Sequence, residues 1–209
     1  MQGVDLLFPI HCAGCGQEGA WLCPACAGAI EFRPLITRRE GLLERVVALI
    51  PYRDPATNRL ISAYKYRNGF SALPVIQMLV RRGVTPSLLP SVDLVVPVPL
   101  HRMRLHTRGY NQADGIAVAV ATALSVPCRT DLLIRARGGA QQAKKDPLDR
   151  RQAFLPGTFL VPDPRAVLGR RVLVVDDVYT TGATFEAIAE ALRSVGAASV
   201  SGFALAYGG

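Results

Sequence analysis

The 209-residue sequence has no long apolar run. Its blandest stretch, "GIAVAVATALSVP" from Gly115, covers about 13 residues, where a membrane-spanning helix needs roughly 20. That stretch therefore reads as a buried helix, and no membrane partner is expected. The start, "MQGVDLLFPIHC", carries an acid and lacks the basic stretch of an export signal. A cytoplasmic location is the expectation. No G-x-x-x-x-G-K occurs, and no G-x-G-x-x-G follows a strand. That removes a Walker loop and a dinucleotide fingerprint from consideration. Lys and Arg are absent from the first 32 residues, which argues against a phosphate-gripping finger there. Internal repeats and low-complexity tracts are missing too.

What is present points to a folded, basic chain. Half the residues are hydrophobic, enough for a sizeable core and against disorder. The length suits one α/β domain plus a small appendage. The net charge is +8, which favours polyanionic partners, either nucleic acid or phosphorylated small molecules. Between Arg102 and Arg151 there are ten Lys and Arg against four Asp, so this stretch holds +6 of the total. A solvated basic face is the plain alternative. A groove for single-stranded DNA would add aromatic stacking platforms, and only Tyr110 and Phe154 lie among these charges.

Four of the five cysteines form two C-x-x-C pairs, Cys12 with Cys15 and Cys23 with Cys26. Each C-x-x-C turn lets two thiolates face one ion, and two such turns complete a tetrahedron of sulfur that suits Zn2+. Four sulfurs leave no open position for substrate, so the metal is expected to be structural. It would fold a segment too small to fold alone. A redox dithiol or plain core cysteines are the alternatives. His11 could substitute as a ligand, although it reads better as a neighbour. Cys128 stands alone and is expected in the core.

Along the chain, apolar runs of strand length alternate with helical periodicity. Strands are expected over 45–54, 92–100, 131–137, 157–163, 170–178 and 198–207. Helices are expected over 56–69, 71–83, 111–124 and 184–197. Residues 138–153 are polar and read as a loop. This alternation implies an α/β fold with a parallel sheet flanked by helices. The expected organisation is a zinc segment over 1–32 and an α/β domain over 33–209.

Within that pattern, "VLVVDDVYTTGAT" (172–184) puts two like charges at the end of an apolar strand. Ligands of open α/β folds bind at that end of the sheet. The following turn, from Val178 and Tyr179 through Thr180, Thr181, Gly182, Ala183 and Thr184, opens a helix. A helix N-terminus with free N–H groups is an anion site, and the hydroxyls add donors. Asp176 and Asp177 would accept hydrogen bonds from vicinal hydroxyls. A ribose carrying a 5-phosphate fits both ends. The alternative is a simple helix cap.

This stretch resembles the phosphoribosyl-pyrophosphate signature of type I phosphoribosyltransferases. Together with "VPVPLHRMRLHTRGYNQ" (96–112) and the four-cysteine start, it resembles the ComF family, named for bacterial competence for DNA uptake. The resemblance implies a type I phosphoribosyltransferase fold. It implies that Asp176 and Asp177 hold the ribose hydroxyls and that residues 178–184 take the 5-phosphate. It also implies a pyrophosphate site at Leu100, His101, Arg104 and Arg108. Asn111 and Gln112 complete the R-x-x-x-R-G-aromatic-N-Q pattern. With Arg137, Gln142 and Arg151 they are candidates for the hood and the acceptor. Phe154 stands where the family has an asparagine. Lys65, in "YKYRNG", matches the family as a phosphate contact or is an exposed helix lysine. Arg102 reads as a surface charge. The implied cofactors are structural Zn2+ and the Mg2+ that accompanies phosphoribosyl pyrophosphate. The implied chemistry is phosphoribosyl transfer to an acceptor that the sequence does not identify. His101 and His106 are candidates for a general base. A phosphoribosyl-ligand sensor and a single-stranded DNA-binding competence protein are the non-catalytic alternatives.

Overall fold

The structure, a computed structural model, describes residues 9–38, 41–66, 69–85, 87–136 and 157–208. A short helix α1 (Pro24–Ala29) precedes an edge strand β1 (Leu35–Arg38) and the strand β2 (Arg45–Pro51). Helices α2 (Pro55–Tyr66) and α3 (Leu73–Gly83) lead to β3 (Leu94–Pro97). Two further helices follow, α4 (Arg102–Arg108) and α5 (Gln112–Leu124), then two-residue strands β4 (Ile134–Arg135) and β5 (Phe159–Leu160). The chain closes with β6 (Arg171–Tyr179), α6 (Ala183–Ser194) and β7 (Ser199–Tyr207).

The main sheet has five strands in the order β1-β2-β7-β6-β3. The last four run parallel, and β1 is an antiparallel edge. Strands covered on both faces should read as continuous apolar runs. They do: Val46–Ile50 and Val172–Val175 are buried throughout. One face packs against α2, α3 and α5 through Leu60, Ile61, Ile76, Leu79, Ile116 and Val120. The other packs against α6 through Phe185, Ile188 and Leu192. At Gly202 in β7 an added Cβ would lie 2.7 Å from Phe185 Cδ1. The missing side chain is what lets α6 sit close on the sheet and aim its first turn at the strand ends.

The expected α/β fold with its parallel sheet is what the structure has, and the differences are local. The described residues of the stretches 131–137 and 157–163 do not join the main sheet. Two residues of each pair antiparallel as a separate ribbon, β4 with β5. The segment after residue 100 is a helix, α4, which short polar periodicity did not announce. β1 and α1 are also additions, each too short for a periodic signal. Cys128 is partly buried and forms a parallel bridge with Val95 at the sheet's far edge. Burial pushes its thiol up to about 11.

The cysteine segment shares the main core. Cys12, Ala13, Leu22, Ala27 and Ile30 are buried in the same cluster as Val47, Leu49 and Leu60. The cations its own sequence lacks come from the helices beneath. Arg59 of α2 donates to the carbonyls of Ala13 (2.6 Å) and Gly14 (3.0 Å). Arg82 of α3 donates to Ala27 O at 2.6 Å and lies over the Phe32 ring.

Candidate functional site

The acids sit at the carboxyl end of β6, as the apolar run before them requires. Side chains alternate along a strand, so neighbouring acids do not share one face. Asp177 turns toward α2, where its Oδ2 lies 2.7 Å from Lys65 Nζ, with side chains only 21% (Lys65) and 6% (Asp177) exposed. Asp176 is partly buried, and its Oδ1 accepts the Asp177 N–H at 2.8 Å. Burial pushes the Asp176 carboxyl well above its usual range, the Asp177 charge adds to that, and Lys65 opposes it. Lys65 is thus not an exposed helix lysine. Its position in the last turn of α2 suits a cation, because the helix dipole is negative there.

The Thr-rich turn lies between β6 and α6. Gly182 is the N-cap residue of α6 and adopts φ +86°, a left-handed conformation that costs other residues about 1–2 kcal/mol. Thr181 Oγ1 accepts from Ala183 N at 3.4 Å. Tyr179 O accepts from Gly208 N at 3.0 Å, tying the turn to the end of β7. Gly182→Ala is expected to lower stability by about 1–2 kcal/mol, read as a lower urea midpoint. The turn opens toward a cavity of about 1040 Å³ lined by Asp177, Val178, Tyr179 and Thr180 from β6, together with Lys65 and Asn58 from α2. Tyr52, Arg53 and Tyr207 also line it. These last three had no signal in the sequence, because only the sheet order β2-β7-β6 brings the ends of β2 and β7 to the same cavity as the end of β6.

Leu100 and His101 follow β3. His101 caps α4, its Nδ1 accepting from Met103 N at 3.3 Å. Gly109 ends that helix at φ +80°. The R-x-x-x-R spacing then places Arg104 and Arg108 one turn apart. Both line a second cavity of about 460 Å³ with Lys65, Tyr66 and Tyr110. Arg108 lies over the Tyr66 ring at 5.1 Å and donates to Gln112 Oε1. Arg135 stands over Phe159 on the β4–β5 ribbon; burial, and then the charge of Arg104, lowers its basicity. Arg102 and His106 are exposed on α4.

Asn111 and Gln112 are committed to the protein at the head of α5. Asn111 Oδ1 accepts from Ala113 N, and its Nδ2 donates to Val98 O (3.0 Å) and Asp114 Oδ1 (2.6 Å). Gln112 is buried, and its carbonyl accepts from Tyr64 Oη at 2.9 Å. They fix the angle between β3 and α5. Arg137, Gln142, Arg151 and Phe154 lie outside the described residues.

The sulfurs of Cys12, Cys15, Cys23 and Cys26 lie within 4.8 Å of one another. Cys15 Sγ is 3.8 Å from Cys23 Sγ, which is about the edge of a sulfur tetrahedron around a metal with 2.3 Å bonds. Burial raises the Cys12 thiol, but the N–H groups of Cys23, Cys15 and Gly14 outweigh it and bring it down to about 6. Cys26 is pushed up to about 12, first by its hydrogen bond with the Cys23 thiol and then by burial. An added Cβ on Gly14 would lie 2.5 Å from Cys26 Sγ, so the first knuckle closes only with glycine. This donor set could hold zinc. His11 pairs with Glu18 across the knuckle and is not among the clustered ligands.

Residues 113–209 match the family model of the phosphoribosyl transferase domain. Competence protein F of Haemophilus influenzae is 28% identical over 203 residues, 95% of this chain and 85% of that protein. DNA utilization protein YhgH of Escherichia coli O157:H7 is 29% identical over 199 residues, 90% of this chain and 85% of that protein. Among solved structures, the glutamine phosphoribosylpyrophosphate amidotransferase of B. subtilis is 24% identical with a TM-score of 0.44, covering 64% of this chain. This chain spans about a quarter of it, 26%. Fold and site thus define a phosphoribosyltransferase-type α/β protein with a four-cysteine cluster at its N-terminal side. Together with these relatives, which match along 90–95% of the chain, the arrangement is similar to that of the ComF proteins. No helix among the described residues is long and apolar enough to cross a membrane.

Proposed function

We propose that the chain binds phosphoribosyl pyrophosphate and transfers its phosphoribosyl group to an acceptor. The observation that carries this reading is the junction of β6 and α6. Asp177, 4% exposed, borders the same cavity as Thr180 at the start of a glycine-capped helix. The N–H groups of that first turn suit a 5-phosphate. Asp176 and Asp177 suit the ribose hydroxyls, and Arg104 and Arg108 suit the diphosphate. In the reaction, the bond from ribose C1 to the diphosphate oxygen breaks and a bond from C1 to the acceptor forms. The electron pair leaves with diphosphate, and the acceptor loses a proton. The residues bind and orient the sugar and neutralise the leaving charge.

The four cysteines fit zinc as a structural ion, and the 1–32 segment is the unit it would organise. The diphosphate oxygens fit Mg2+, which would neutralise charge on them during departure. Calorimetry with phosphoribosyl pyrophosphate and Mg2+ tests the binding, and a screen for pyrophosphate release with nucleobases and amines tests the transfer. Absence of binding by the wild-type chain at millimolar ligand would overturn the reading.

Exposed Tyr66 (77%), which lines the Arg104–Arg108 cavity, and exposed Phe70 (62%), edge-on to Tyr110 of the same lining, favour a second reading, single-stranded DNA as a partner. Such binding would weaken steeply with added salt. Binding of a small sugar ligand would weaken less.

A further inference from the structure

A third cavity, of about 630 Å³, lies between the four-cysteine knuckle and α2. Trp21 and Tyr66 stand in its wall, Asn58 and Ser62 line it from α2, and Gly14 and Gly16 line it from the knuckle. We propose that this cavity is a separate ligand site and that it takes an aromatic base, a purine or pyrimidine ring. The base comes from a nucleoside or from a nucleic-acid strand. The site does not depend on the phosphoribosyl reading above.

Its walls supply stacking surface. Tyr66 ends α2 and is exposed. Trp21 is half-buried, and its indole N–H donates to Ser71 Oγ at 2.9 Å. That bond satisfies the only polar atom of the ring and holds the ring in place. What the indole then offers a ligand is π surface, on which any base stacks favourably. The polar groups suit the edge of a base. Asn58, Ser62 and Tyr66 recur every four residues, so they share one face of α2. An amide carries both a donor and an acceptor, the pattern that base edges present. The charges point the same way. Among the described residues that line the cavity, Arg59 is the one Lys or Arg, and no Asp or Glu is present. Arg59 is already engaged by Ala13 O at 2.6 Å and Gly14 O at 3.0 Å. A phosphate site keeps its cations for the ligand, and a cation site brings acids. The lining therefore selects a planar, neutral ligand with hydrogen-bonding edges. The volume falls in the range of small-molecule sites, roughly 300–1,000 Å³.

Trp21 is the only tryptophan of the chain, so its fluorescence reports on this cavity. The full chain is titrated with adenosine, with a single-stranded oligodeoxyadenylate and with an abasic strand of the same length. Excitation is at the red edge of indole absorption, where bases do not absorb. Saturable quenching by a base-bearing ligand and none by the abasic strand is the expected result. Quenching by adenosine assigns the site to a free base, and quenching by the oligonucleotide alone assigns it to a strand. Tyr66→Ala is expected to weaken the quenching ligand ~5–100-fold, the loss of one stacking partner. Tyr66→Phe keeps the ring and is expected to stay within about threefold of wild type. Ser62→Leu, which narrows the cavity from the same face of α2, replaces Tyr66→Ala if the latter does not fold and is expected to weaken binding similarly. No quenching by either base-bearing ligand, equal quenching by the abasic strand, or wild-type affinity in Tyr66→Ala overturns the inference. Each of these results leaves phosphoribosyl pyrophosphate binding, read by calorimetry, untouched.

Discussion

Replacing Asp176 and Asp177 together with asparagine is expected to cut the affinity for phosphoribosyl pyrophosphate at least ~100-fold, measured by calorimetry with Mg2+. A hydrogen bond to a charged group contributes about 1.5–3 kcal/mol. Two such bonds to ribose hydroxyls are worth roughly 3–6 kcal/mol, and 1.4 kcal/mol is tenfold in affinity. Asparagine keeps one oxygen acceptor but replaces the other with an NH2 donor, so it cannot reproduce the acceptor pair. Binding within threefold of wild type would sink the assignment of these acids to the sugar.

The single substitutions should differ in stability. Burial and the Asp177 charge both disfavour the charged form of Asp176. Asp176→Asn removes that conflict and keeps an oxygen for the Asp177 N–H. This variant is expected to melt higher than wild type at neutral pH. The sign follows from linkage: the folded protein raises this carboxyl's pKa, so the protein is relatively stabilised below the unfolded value of about 4 and loses that benefit as pH rises through the folded value. The gain of Asp176→Asn should therefore shrink toward pH 4. Asp177→Asn does the reverse, because it leaves the Lys65 ammonium without its partner. A loss on the order of 1–3 kcal/mol is expected, below that of a fully buried pair because Lys65 keeps some access to water. A site residue whose removal stabilises the protein has been kept for binding, not for the fold.

The main strands and helices were legible because their apolar periodicity is long enough to be unambiguous. The runs Val46–Ile50 and Val172–Val175 and the helix from Gln112 are instances. The turn after β6 was legible too, because its composition has few other uses. What escaped were features set by tertiary placement. Adjacent acids in sequence face different sides of a strand, and the partner that takes one of them, Lys65, is 112 positions away. The arginines that grip the cysteine segment come from α2 and α3. The segment's own lack of positive charge therefore said nothing about its surroundings. α4 is too short for periodicity; its signals are the His101 cap and Gly109.

Removal of metal from the four-cysteine cluster, or Cys15→Ser with Cys23→Ser, is expected to destabilise the entire chain and not only its first 32 residues. Elemental analysis should find one zinc per chain. Structural zinc contributes about 10–16 kcal/mol to the folding of small sulfur-ligated units, and this segment has little secondary structure of its own. Among the described residues its longest helix, α1, has six residues. Yet Cys12, Leu22 and Ile30 fill the same core as Val47, Leu49 and Leu60. Loosening the knuckle would uncover that face of the sheet and leave Arg59 and Arg82 without the carbonyls they cap. Chelation should therefore lower the melting temperature by more than 10 °C, since about 1 kcal/mol corresponds to 2–4 °C in a chain of this size. α2 carries both Arg59 and Lys65, so the loss should extend to sugar binding. A metal-free chain that melts at the wild-type temperature would show that the cysteines are ordinary core residues.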